Sequence, residues 1–108
     1  MTIAEWLATR SPAPPPQLTD GVLAALGGAG REDARLLPER CLAAAEKVVA
    51  ALLRDRRTGR EAAGELLAAD ALVTYAFEAA SDDPASLADR ARAAMRRLAG
   101  LAASDVVR

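Results

Sequence analysis

Asp70, Thr74 and Arg92 are the residues whose types and spacing come nearest to chemistry in this 108-residue chain. Ala63, Leu66, Asp70, Val73, Phe77 and Ala80 recur at alternating steps of three and four, the spacing of a helical seam that faces another helix. Asp70 is the one charge in that apolar row, with Thr74 one turn beyond it. Burying an unpaired carboxylate is costly enough to demand a partner or a proton. Equal lengths of helix on either side of a turn at Ser81 to Asp83 bring Arg92 alongside Asp70, with Lys47 as the next candidate. The spacing therefore predicts either a buried pair that fixes helix register or a functional carboxylate in a pocket. Glu65 and Glu78 could serve as acid and base with Asp70, but the seam turns both aside, which leaves a carboxylate-based enzyme the least supported reading.

A second cluster is basic. Antiparallel helices would gather Arg54, Arg56, Arg57, Arg60 and Arg97 at one end of a bundle, where a helix N-terminus adds partial positive charge. That is a candidate patch for an anion or an acidic partner, although Asp55 and Glu61 offset it and the simpler reading is a set of solvated charges. The other end would collect Glu78, Asp82, Asp83 and Asp89.

Several chemistries are excluded by composition. The chain has no histidine and one cysteine, so it can build neither a Ser/His/Asp triad, nor a Cys/His pair, nor a thiolate cluster, nor the Glu-x-x-His half of a di-metal bundle site. Gly27, Gly28 and Gly30 have neither the phosphate-loop lysine nor the dinucleotide fingerprint. No catalytic residue, metal ligand set or cofactor is expected, and Cys41, in the apolar run Leu42 to Ala45, reads as a reduced, buried small hydrophobe. A net charge of −1 and 3% aromatic content predict no nucleic-acid partner. Charges interrupt every apolar run before it reaches the ~20 residues of a membrane span, and Glu5 stands where an export signal needs an apolar middle. A cytoplasmic protein is expected. Asparagine is absent and isoleucine, lysine, phenylalanine and tyrosine occur once each; all have AT-rich codons, which predicts a bacterial source of high GC content.

The elements that must position these residues are helices. Thr2 and Glu5 form a capping box for a short first helix carrying Ile3, Trp6 and Leu7 and ending near Arg10. Ser11 to Pro16 is a stiff proline-rich spacer. A second short helix follows from about Pro16 to Leu26 and ends at Gly27 and Gly28, and Gly27 to Arg35 is expected as a mobile loop. Pro38 starts a third helix reaching about Arg54, with Cys41, Ala45, Val48 and Leu52 inward and Glu39, Glu46 and Lys47 outward. A second capping box, Thr58 with Glu61, opens a fourth helix from Gly59 to Ala80, and Asp83 with Pro84 opens a fifth whose seam is Leu87, Ala91, Ala94, Leu98 and Leu101. No segment alternates with the period of a strand.

The stretch Asp70-Ala71-Leu72-Val73 followed by Ala76-Phe77-Glu78 resembles a helix of isoprenyl diphosphate synthases, which carry Gly-Asp-Ala-Leu-Leu and then Ala-Phe-Glu. Their Asp-Asp-x-x-Asp metal motif has no counterpart here, so the resemblance implies a shared way of packing an Ala/Leu-rich helix.

These readings predict an all-α antiparallel bundle of three longer helices plus two short N-terminal helices. It forms one domain over 1–108, with the short helices and spacer in 1–30 and the three-helix core in 36–103. The expected role is a non-catalytic interaction module, acting through protein contacts as a homo-oligomer or adaptor without nucleic acid or membrane. The alternative is a bundle holding an apolar or phosphate-bearing small ligand near Asp70 and the arginines, which requires an internal cavity of at least ~300 Å³.

Overall fold

A computed structural model describes residues 1–81 and 84–107. Asp82 and the expected cap Asp83 lie outside the described residues, as does the side chain of Leu87. Five helices form the expected all-α bundle: α1 (Ile3–Ala8), α2 (Pro16–Leu26), α3 (Leu37–Asp55), α4 (Arg60–Ala80) and α5 (Pro84–Val107).

The first capping box forms, with the Thr2 N–H donating to Glu5 Oε1 at 2.7 Å and the Glu5 N–H to Thr2 Oγ1 at 3.1 Å. Two orphan donors of α1 are thereby satisfied. The second box does not. Gly59, at a φ of 97°, takes the N-cap of α4 and no side chain caps the helix. The reversal begins with Arg56 in the left-handed region at 50°, and together these two residues leave Thr58 one position outside the cap. Glycine adopts such a φ without the Cβ clash that any other residue meets there.

The expected mobile loop is instead two 3₁₀ turns, Gly27–Arg31 and Ala34–Leu36. They are tied to the start of the chain. Thr2 and Asp33 form an antiparallel bridge, the Ile3 N–H donates to the Glu32 carbonyl at 2.9 Å, and the Ala34 N–H donates to the Met1 carbonyl at 2.9 Å. Arg40 at the start of α3 holds Glu32 through two hydrogen bonds of 2.9 and 3.0 Å. Ile3 is completely buried beneath this tie.

The helices α3 and α4 share the largest interface, α2 lies against another side of α4, and α5 runs beside both α3 and α4. Ion pairs give its direction: Arg90 meets Glu39 at 3.3 Å and Arg97 meets Glu46 at 3.1 Å, an equal advance along each helix. Thus α5 is parallel to α3 and antiparallel to α4. The inward face of α3 follows its sequence, with Cys41, Ala44 and Ala45 buried and Val48 and Leu52 half-buried.

The inward face of α4 does not follow the expected seam. Ala62, Ala69, Leu72, Ala76 and Ala80 are buried, whereas Ala63, Leu66 and Asp70 are exposed. Apart from Ala80, which is buried as expected, the buried row is the expected one displaced by a single residue, about 100° of helix rotation. The displacement has a steric cause. Helix α4 touches both α2 and α3, and close approach on two sides favours alanine: a Cβ built on Gly21 of α2 would stand 3.4 Å from the Ala68 Cβ. Leu66 and Leu67 fall outside these contacts and are exposed, and Leu72 is the one leucine of α4 that the core takes in.

Candidate functional site

Asp70 is exposed, which corrects the expectation that it lies inside the bundle. The rotation of α4 that buries Ala69 carries Asp70 to the surface. Thr74 is exposed with it, and its hydroxyl donates to the Asp70 backbone carbonyl at 3.0 Å, an ordinary contact across one helical turn. Arg92 does not pair with Asp70. Its guanidinium donates to Asp89 Oδ1 at 2.6 Å on its own helix. Lys47 is also exposed, on α3. Glu65 and Glu78 are engaged elsewhere, Glu65 by Arg57 at 3.0 Å and Glu78 by Arg10 at 3.5 Å, so no acid–base constellation forms around Asp70.

The arginine end is only partly assembled. Arg54 bonds Asp55 at 3.2 Å, and Arg57 is shared between Asp55 at 3.9 Å and Glu65 at 3.0 Å. Arg56 serves the turn after α3, and Arg60 is exposed at the start of α4. Arg97 does not belong to this cluster: the register of α5 against α3 sets it on Glu46, partway along α3. At the other end, Glu78 and Asp89 are paired with arginines, and Asp82 and Asp83 lie outside the described residues.

Outside the expected seam lies a cluster around Trp6. Its ring meets Tyr75 edge-on at 6.2 Å, and the Arg10 guanidinium lies 3.7 Å from its centroid. Burial first, and then the nearby Glu78 carboxylate, push the Tyr75 hydroxyl above its usual value, against the opposing pull of Arg10. Arg10 had a legible signal, one turn beyond Trp6, whereas Tyr75 is distant in sequence. Surface clefts of about 390, 440 and 570 Å³ open beside Arg35 and Arg90, between α2 and α4, and beside Ser11 and Ser81. Asp70 lines none of the three, so they do not supply the ligand cavity expected there. Cys41 is completely buried, and burial pushes its thiol up to about 12. Among the described residues, no group of three or more Cys, Asp or Glu side chains is placed to hold a metal ion, and no helix is long and apolar enough to cross a membrane.

What does stand out is an uncovered apolar face. Leu66 and Leu67 on α4 and Met95 and Leu98 on α5 are 55, 62, 69 and 42% exposed, more than any other large hydrophobic residue except Met1 among the described residues. On α5 the buried Ala94 points to the core and Arg90 and Arg97 point to α3. Helical geometry then turns Leu98 and Met95 to the flank nearer α4. On α4 the half-buried Val73 and Phe77 share the flank of Leu66. The expected seam thus exists as an apolar row, and the molecule's own core leaves its N-terminal half uncovered.

No family model, curated protein or solved structure matches the chain.

Proposed function

We propose that the chain is a non-catalytic interaction module that works through protein contacts, as a homo-oligomer or adaptor in the cytoplasm, with the outer face of α4 and α5 as its contact surface. The observation that carries this reading is the exposure of Leu66, Leu67, Met95 and Leu98 on two neighbouring helices. Isolated exposed leucines are common, but contiguous apolar surface mostly marks a site of association. Asp70 and Thr74 then sit within a contact surface, where a carboxylate selects partners by charge. A reduced thiol at Cys41 and the dispersed charge of the surface agree with an intracellular setting.

The test is site-specific photo-crosslinking in an extract of the source cells, from a photoreactive residue at position 67 or 95 and, as the contrast, at position 20 on the exposed side of α2. Discrete protein adducts are expected from positions 67 and 95 and not from 20. No adduct from either, or the same adducts from all three, would overturn the reading.

A further inference from the structure

We propose that the occupant of the α4–α5 face is a second copy of this chain, joined by a two-fold axis, with Asp70 of each copy paired to Arg96 of the partner subunit. The proposal rests on the contact surface argued above and names what covers it.

Charge is complementary across the patch and its rim. Among the described residues, neither the Asp70 carboxylate nor the Arg96 guanidinium has a hydrogen-bond or ion-pair partner, although most other charges of the surface are paired. One lies on α4 and the other on α5, and both are exposed. A surface meant for a different protein is free to carry one sign. A charged surface that meets its own copy carries both, arranged so that a two-fold operation brings one onto the other. Asp70 lies beside Leu66 and Leu67 on α4, and Arg96 borders the α5 face one residue step, about 100° of helix rotation, beyond Met95, so the patch and its rim carry both signs.

The levels agree as well. Because α4 ends at Ala80, α5 begins at Pro84 and the two run antiparallel, equal helix lengths put Arg96 within about one turn of the level of Asp70 along the bundle. Leu66 and Leu67 fall at the level of Leu98 by the same measure. A two-fold axis along the bundle keeps every residue at its own level while setting α4 of one copy against α5 of the other. Leu66 and Leu67 then cover Leu98 of the partner subunit, and each Asp70 reaches Arg96 of the partner subunit. The net charge of −1 per chain adds almost no repulsion between copies.

The experiment is sedimentation equilibrium of the purified full chain across a wide concentration range. The set comprises wild type, Asp70→Arg, Arg96→Asp, the double charge reversal, and Leu67→Glu. All substituted side chains are exposed, and unchanged far-ultraviolet circular dichroism confirms that each variant folds. Expected are a wild type of twice the 11.2 kDa chain mass, and three single variants that are monomeric or at least ten-fold weaker in association. The double reversal should regain most of the lost affinity. A wild type that stays monomeric throughout overturns the proposal. So does a dimer indifferent to the single substitutions, or one that the double reversal fails to restore. A monomeric wild type that still gives position-specific adducts to another protein from positions 67 and 95 overturns only the self-association and leaves the interaction surface in place.

Discussion

Asp70 and Cys41 each stand in an apolar stretch of sequence, yet one is solvated and the other sealed, because a single residue step rotates a side chain by about 100° around its helix. For Cys41 the neighbours agree: Leu37, Ala44 and Ala45 lie on the same buried face, and the thiol inside it is held protonated by burial. Its folded value is raised from an ordinary 9.0 to about 12, so the stabilisation is complete below pH 9 and is lost as the pH rises between those values. A thiol reagent at neutral pH is therefore expected to react only through opening of the fold, orders of magnitude more slowly than with the denatured chain. Immediate stoichiometric labelling of native protein would contradict this. For Asp70 the neighbours disagree, since Ala69 and Leu72 lie inside while Leu66 and Leu67 lie outside. The charge was legible as a residue out of place in an apolar row. Whether that row faced inward was not, because an apolar residue is compatible with both a core and a contact surface.

Helix α4 contains two overlapping apolar rows, one rich in alanine and one rich in larger residues, and hydrophobicity alone favours the larger ones. Packing decides otherwise. Helices that meet at short separation need small side chains at the contact, and α4 meets α2 and α3 through Ala68, Ala69, Leu72 and Ala76. Buried Ala76 should accordingly be more sensitive to substitution than the larger but exposed Leu66. Ala76→Leu forces extra volume into a filled contact and is expected to cost about 1–3 kcal/mol, whereas Leu66→Ala at an exposed position should lie within about 0.5 kcal/mol of the monomer's wild-type stability. Urea unfolding at concentrations too low for self-association distinguishes the two, and a tolerated Ala76→Leu would refute the alanine contact. Where backbone chemistry dominates, the sequence was a sufficient guide. Proline at the start and glycine after the end delimit α2 as Pro16–Leu26. Gly59 displaced the expected cap of α4 because its left-handed φ outweighs one side-chain hydrogen bond in setting the reversal.

The chain closes on itself where its pattern suggested freedom. The segment from Gly27 to Arg35 reads as a loop because its order comes from residues 1–3 and from Arg40, contacts that no local window contains. Ile3 is the pin of this closure, and Ile3→Ala is expected to cost ~2–5 kcal/mol and to shift Trp6 emission to the red as α1 loosens. The closure should also be acid-labile. The Thr2 N–H and hydroxyl hold the Glu5 carboxyl below its ordinary value, and the Arg35 N–H and guanidinium do the same for Asp33. Because both folded values are lowered, the stabilisation is fully present above the ordinary carboxylate range and disappears as the pH falls through the folded values, so the window lies below about pH 4. Trp6 emission should move red in that window before the helical signal of α3 and α4 decays, and a Glu5→Gln, Asp33→Asn variant should lose that early step. If variant and wild type titrate alike, or if emission and helical signal fall together in both, the N-terminal tie is not what holds Trp6 against Tyr75 and α1 must be anchored by apolar contact alone.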